Sequence, residues 1–450
     1  MEQKKKIDMT TGPIMKNVFL FAIPIVLGNI LQYLYTTVDT LVIGNYCGKT
    51  SLAAVGTSAQ PVEVLLCIFL GIGTGVSILV SQYVGAKDRI RIRQAVDTAT
   101  FFVFVCGIPL CVIGYFAAPL ILRCMGVPSD TWDAAVSYTR IVFFGALGNI
   151  GYNMNAGILR GMGDSKASLW FLVVSCITNI VLDFLFVAGL GMDVGGAALS
   201  TTLAMYLSWI ISIVYIRNKF PEVELPYFPK RFYVDELKKI LLIGLPIGLN
   251  NSLYSLGHVA VQTLVNAQGS TFMAGNSVAG RVTGLTNIAI TALSSAATTF
   301  SGQNYGARNF DRLREGYIKI PVISGIVTLA AGLCMISFRM PILRIFTPDE
   351  AVLMYASRYV VVMLLSQWFF AIFNGMICVV NGVGLIRYTT IVNILMLWAV
   401  RIPSAYLITR YFDGTYIMLC FPISFSFGMI MMIGYYMFSK KWKEIIRTGL

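Results

Sequence analysis

Charge is scarce in this chain. Asp, Glu, Lys and Arg make up 12% of its 450 residues, about half of the roughly 25% found in a soluble domain. A soluble fold of this length could not cover itself with so little polar surface. Histidine occurs once, and the nine cysteines show no C-x-x-C spacing, which removes the usual zinc ligand sets. Seven of those cysteines lie within apolar runs, where free Cys packs as a small hydrophobe. No H-E-x-x-H, G-x-S-x-G or phosphate-loop motif is present, so neither a hydrolytic enzyme nor a nucleotide-driven pump is expected. The polar start, Met1 to Pro13, runs into an apolar stretch too long for a signal peptide core, so no cleaved leader is expected.

What the chain does have is apolar length: 57% of its residues are hydrophobic. Crossing the roughly 30 Å of bilayer hydrocarbon as a helix takes about 20 apolar residues. Hydropathy predicts twelve such spans, at roughly 17–42, 60–84, 95–118, 134–159, 168–189, 194–216, 240–266, 278–300, 317–339, 355–380, 389–410 and 415–438. The net charge of +13 would suit a nucleic-acid binder if it gathered on one surface. Instead, 25 of the 34 basic residues fall in alternate connections, among them Lys4, Lys5, Lys6, Arg89, Arg91, Arg93, Lys230, Arg312, Arg314 and Lys443. Such a bias sets orientation, placing both termini in the cytoplasm of a cell (inner) membrane. No nucleic-acid partner is expected.

Self-comparison shows a repeat. Gln82, Gly85, Ala86, Arg91 and Arg93 recur 221 residues later as Gln303, Gly306, Ala307, Arg312 and Arg314. Gly161 and Gly163 recur at that offset as Gly382 and Gly384, and Pro24 recurs at 222 as Pro246. Six spans per repeat is an even number, so both halves enter the membrane in the same sense. The expected architecture is all-α, with twelve transmembrane helices in two six-helix lobes related by a pseudo-two-fold along the membrane normal. The N-lobe would cover 1–216, a cytoplasmic linker 217–239 and the C-lobe 240–450.

A carboxylate at membrane depth is expensive and marks a pathway or a partner. Asp39 in span 1 and Asp183 in span 5 are the candidates, each within about 6–9 Å of the outer boundary by helical rise. Asn29, Gln32, Thr36 and Asp39 step along one helix face, as do Asn179 and Asp183. Span 4 adds Asn149 and Asn153, and span 6 adds Thr201 and Thr202. Two carboxylates among neutral oxygen donors suit a hard monovalent cation or a shared proton; a structural interhelical hydrogen-bond network is the plainer alternative. The second half keeps the stripe as Asn251, Tyr254 and His258, but Asp39 becomes Val261 and Asp183 becomes Ser404. His258 can titrate near neutrality. Arg401 lies mid-span beside Pro403, where either a cavity charge or a snorkelling side chain would fit.

The F-A-I-P-I-V-L-G-N-I-L-Q run from Phe21 to Gln32, Val38-Asp39-Thr40 and the repeated Q-x-x-G-A carry a resemblance. So do the stretches Asn155–Asp164, Asn179–Asp183, Gly196–Thr201 and Arg401–Pro403. The chain resembles the multidrug and toxic compound extrusion (MATE) family over nearly all its length, in particular its bacterial DNA-damage-inducible exporters. That resemblance implies a secondary antiporter exporting organic cations against inward Na⁺ or H⁺ by alternating access, with no other cofactor. It implies a cation site at Asp39, Asn179, Asp183 and Thr201. Gln32, Tyr35, Thr36, Asn149, Asn153, Thr202, Tyr254 and His258 would line the substrate cavity. Some family branches carry acids on spans 7 and 10, where this chain has Tyr254 and apolar residues around Phe370, so no C-lobe ion site is expected. A monomer in contact with lipid is expected. A flippase of lipid-linked precursors, from the same broad superfamily, is the alternative.

The orientation is testable by cysteine labelling. Reagent added from outside should modify a probe placed within 44–58 and miss one within 86–93; the opposite pattern reverses the topology.

Overall fold

The computed structural model describes residues 7–129, 131–229 and 231–448, without the side chains of 49–50, 52–53, 57–61, 222 and 448. Lys4, Lys5, Lys6 and Lys230, counted above toward orientation, lie outside the described residues. The described chain is helical almost throughout. The first half runs α1 (Ile14–Tyr46), α2 (Gly48–Gly85), α3 (Arg89–Cys124), α4 (Trp132–Gly161), α5 (Ser165–Asp183) and α6 (Asp193–Lys219). The second runs α7 (Val234–Asn266), α8 (Ser270–Gly306), α9 (Phe310–Ser337), the short α10 (Arg339–Arg344), α11 (Glu350–Gly382), α12 (Ile386–Ile394), α13 (Ile402–Tyr411), α14 (Cys420–Phe438) and α15 (Lys440–Thr448). Wide π-helical turns at Phe184–Gly189 and Leu395–Arg401 extend α5 and join α12 to α13.

These helices supply twelve rods, all at the positions read from hydropathy, in an all-α membrane fold. Ten are long and apolar enough to span a bilayer on those grounds alone; the other two rods, α4 and α8, are diluted by glycine and hydroxyl residues. Several rods outrun the apolar window. The 44–58 segment, read above as a loop, is mostly helix: Cys47 alone separates α1 from α2. Gly48 sits at φ 86°, and the residues after it contain no breaker before Pro61, so the helix continues past the hydrocarbon.

The repeat is visible in the backbone. Left-handed residues recur at the same offset, Lys87 with Arg308 (φ 56° and 55°) and Gly163 with Gly384 (φ 86° and 94°). Tertiary contacts repeat as well: Gly161 packs on the Ser77 carbonyl, and Gly382 packs on the Thr298 carbonyl.

By packing, the chain forms two compact units. The first is Ile23–Leu249 with Ile7; the second is Asp8–Ala22 with the chain from Asn250 onward. The division falls within α1 and α7, beside Pro24 and Pro246, rather than at the polar connection. In the first unit the start of α7 crosses α2 antiparallel where Gly71 and Gly75 meet Gly248 and Gly244, backbone against backbone. Small residues at such a crossing permit close van der Waals approach, which drives helix association in lipid. Tyr83 donates to buried Glu236 (2.8 Å), which also pairs with Lys239 (2.7 Å). The 220–233 connection is packed rather than loose: Phe220, Val223 and Leu225 are buried, Arg217 donates to the Leu225 carbonyl (2.7 Å) and stacks on Tyr227.

In the second unit the chain start is gripped by the α8–α9 turn. Gln303 and Asn304 bond the Met9 backbone, and Arg312 donates to the carbonyls of Met9, Thr11 and Gly12 (3.0, 3.0 and 2.7 Å).

At the α2–α7 crossing a single methyl has nowhere to go. Gly71→Ala should lower the stability of the detergent-solubilised protein by about 1–3 kcal/mol, read as a drop in thermal midpoint. Gly280→Ala, on an open helix face, should be neutral or mildly stabilising.

Candidate cation-binding site

Three elements of the first unit bring polar groups together. Helix α1 supplies Gln32, Tyr35 and Asp39; its continuation to Tyr46 leaves Asp39 about two turns from the helix end, deeper than the apolar window implied. Helix α5 delivers Asn179 and Asp183 one turn apart, and Asp183 is the last α-helical residue before the π turn. A π turn leaves carbonyls out of the regular ladder and recurs at functional positions. Helix α6 supplies Ser200 and Thr201.

Asp39 and Asp183 are close enough to act directly on one another, and Ser200 lies within reach of Asp183. Asp183 is fully buried and Asn179 nearly so. Asn179 Nδ2 donates to Thr201 Oγ1 (3.1 Å), and its carbonyl oxygen has no partner. Four buried oxygens meet no donor: Asp39 Oδ1, Asn179 Oδ1 and both oxygens of Asp183. Buried acceptors without donors are costly, and a hard cation or a proton would satisfy them. Among the described residues no three His, Cys, Asp or Glu side chains gather. Two carboxylates with a neutral amide oxygen are a donor set that a monovalent cation would fit.

Other cavity candidates divide. Tyr35 is buried, meets the Gln32 side chain and lies near both Asp39 and Cys176. Thr36 donates to its own helix at the Tyr33 carbonyl (2.9 Å). Asn153 donates to Asn149 Oδ1 (3.0 Å), so this pair satisfies itself along α4. Thr202 turns to α4, donating to the Ile141 carbonyl (3.3 Å) against Gly145. The position is an interhelical packing site, because Thr201 and Thr202 are 100° apart on one helix. Two residues were missed. Tyr138 of α4 is near Asp39, Asp183 and Tyr35, and Ser200 adjoins Asp183. Tyr138 stands three turns before Asn149 on one stripe, a signal the sequence carries.

The second unit differs in sign. Arg401 is buried, with Nε donating to Ser424 Oγ (3.0 Å) and Nη1 donating to the Tyr254 hydroxyl (3.2 Å). Its guanidinium lies over the rings of Tyr254, Phe421 and Phe425 at 5.2, 5.0 and 5.0 Å. That settles it as an interior charge and not a snorkelling one. His258 packs edge-on against Tyr254 (4.8 Å). Val261, at the Asp39 position, is buried, and Ser404 bonds the Arg401 carbonyl.

The MatE family profile matches the chain twice, over residues 24–185 and again over 246–407, in register with the repeat. The chain belongs to the MatE family. The Probable multidrug resistance protein YoeA of Bacillus subtilis is 28% identical over 442 residues, covering 96% of this chain and 95% of that protein. DNA damage-inducible protein F of Escherichia coli is 26% identical over 348 residues, covering 77% and 76%. An outward-facing multidrug resistance MATE family transporter of the MOP superfamily superposes with a TM-score of 0.89 over 99% of this chain and all of that one. At 23% identity that likeness concerns the fold. MatE proteins are transporters, and this chain is a multi-pass member.

Tyr254→Phe deletes an acceptor from a buried guanidinium that already has one unpartnered nitrogen. The variant should lose roughly 1–3 kcal/mol of stability, visible as a lowered thermal midpoint; an unchanged midpoint would mean Arg401 is satisfied elsewhere.

Proposed function

We propose that this MatE protein is a secondary antiporter that exports organic cations from the cytoplasm in exchange for Na⁺ or H⁺. The observation that carries the reading is the Asp39–Asp183 pair, which together with Asn179 has four buried oxygens that meet no donor. Two carboxyls with unmet acceptor oxygens, set in an apolar bundle, favour a cation and bind one at a time. An inward-moving ion and an outward-moving organic cation that compete for the same charges are thereby coupled, since a ligand shifts a conformational equilibrium only by its differential affinity for the two states. In this reading Asp39, Asp183, Asn179 and Thr201 hold the ion, with Ser200 and Tyr138 beside them, and Gln32 and Tyr35 meet the substrate. Both termini lie in the cytoplasm. The multidrug names of the relatives support a broad range of organic compounds.

A second reading, flipping of a lipid-linked precursor, draws on the buried Arg401, which would suit an anionic group. Export of a fluorescent organic cation from cells, dependent on an imposed ion gradient, separates the two.

Removing one carboxylate takes away a charge-assisted ligand worth about 1.5–3 kcal/mol, so Asp183→Asn should weaken ion affinity on the order of tenfold or more. The measurement is substrate uptake into inverted vesicles under fixed Na⁺ or H⁺ gradients. Asp183→Asn and Asp39→Asn should lose gradient-driven uptake while inserting normally, whereas His258→Ala should change rate or preference and keep coupling. Loss of coupling in His258→Ala, with Asp39→Asn still coupled, places the ion in the other unit and refutes the assignment.

A further inference from the structure

The last described helix of the second unit is amphipathic. Helix α15 buries Trp442, Ile445 and Ile446 against the protein and exposes Lys440, Lys441, Lys443 and Arg447 on its other side. Arg314, from the start of α9, fixes it: Nε donates to the Ile446 carbonyl (3.0 Å) and Nη2 to that of Arg447 (3.4 Å), while Nη1 pairs with Asp311 (3.2 Å). Docking of α15 encloses a cup of about 400 Å³ whose walls include Arg314, Lys443 and Arg447. Its aromatic floor is Trp442, stacked on Tyr436 (5.0 Å) with Tyr317 edge-on (5.8 Å).

Two features mark the cup as a receptor. The Trp442 indole N–H is buried and has no acceptor, although an indole N–H in such a place normally finds one. The cup also does not end at its floor. Tyr317 and Tyr436 line a second cavity of about 440 Å³, with Pro321, Trp368, Met376 and Ile433, that is almost wholly apolar. Basic side chains and a free donor at one end, with an apolar groove running on from the same two tyrosines, match a single amphiphile with an anionic head.

We propose that the cup and groove form one binding site for an anionic phospholipid, with its phosphate among Arg314, Lys443, Arg447 and the Trp442 N–H and an acyl chain in the groove. Charge complementarity selects an anionic headgroup over a zwitterionic one, because a neighbouring ammonium would sit against the same cations. Each basic residue near a lipid surface contributes roughly a fivefold preference. The site is independent of the ion and substrate assignments.

The test uses the full-length protein in neutral detergent, offered phosphatidylglycerol and phosphatidylcholine with identical acyl chains, with bound lipid counted by native mass spectrometry. The wild type should retain phosphatidylglycerol several-fold over phosphatidylcholine. The exposed pair Lys443→Gln/Arg447→Gln should bring that ratio close to one, and Trp442→Phe, which keeps the ring stack, should lower it. Ile433→Trp, which fills the groove, should reduce retention of both lipids without changing their ratio. An unchanged ratio in both headgroup variants overturns the proposal. Displacement of phosphatidylglycerol by inorganic phosphate alone would also overturn it, by reducing the cup to a site for a free anion.

Discussion

A charge held at membrane depth has no water to turn to, so its cost must be met by whatever the helices present. The two units meet that demand in opposite ways. Arg401 is a donor, and its surroundings answer it with two hydroxyls and three aromatic faces; cation–π contact is strongest where, as here, the cation is desolvated. Asp39 and Asp183 are acceptors, and three of their oxygens, with that of Asn179, meet no donor. The amide of Asn179, one turn from Asp183, donates to Thr201. A pair of interacting carboxyls then titrates as one unit rather than as two acids, and a cation or a proton is the partner that lowers its energy. In the proposed exchange, this shortage of donors is the basis for coupling.

Small residues bring these helices close together. In the first unit α4 serves as a keel. Gly145, Gly148 and Gly151 receive Thr202, Tyr206 and Trp209 of α6, while Gly157 and Gly161 pack on α2. With α6 drawn in this way, Thr202 faces the keel, and Ser200 and Thr201 face α5. Lipid tails are as apolar as leucine, so nothing like the hydrophobic effect pulls these helices together, and close van der Waals contact has to do it. The same logic holds α7 to α2 at Gly244 and Gly248, which is why the compact units divide within α1 and α7 and not at the polar connection. The prolines beside both divisions, Pro24 and Pro246, each remove a backbone hydrogen bond at the point where the helix changes company.

Much of this was legible in the sequence, and the exceptions have physical causes. Twelve rods and the repeat were readable because hydropathy and a fixed offset are properties of the chain itself. Helix lengths were not: a hydropathy window sees only the apolar part, and after Gly48 the polar stretch contains nothing that stops a helix. The acid pair and Asn179 were readable because period and depth single them out. Tyr138 and Ser200 escaped for different reasons. The first shares a helix stripe with Asn149 but lies three turns away from it, among aromatic residues common in membrane helices; the second is an ordinary membrane serine until Asp183 is beside it. Thr202 was misplaced because one step along a helix turns a side chain by 100°, and only packing against Gly145 tells which of two adjacent threonines faces which neighbour. Arg401 was ambiguous because sequence gives depth but not company.

The duplicated frame makes the divergence of its contents informative. At the repeat offset Asp183 corresponds to Ser404 and Arg401 to Ile180, so each unit has a buried charge near the same level of its fifth rod, of opposite sign and three residues apart in register. Each also lies at the boundary of a π turn, after Asp183 in one case and at Arg401 in the other. A π turn inserts a residue's worth of rotation, which re-aims the side chains on the turns beyond it. The two helices therefore present different faces from equivalent backbones, and the buried charges fall on those faces. A guanidinium in the second unit makes its interior hostile to a metal cation or an ammonium over the distances at which low-dielectric electrostatics acts. In the proposed reading, the carboxylate pair of the first unit thus has no counterpart at Val261 and Ser404 of the second. An exchanger in which ion and substrate must take turns needs no more than one, and a second would let both bind together and uncouple them.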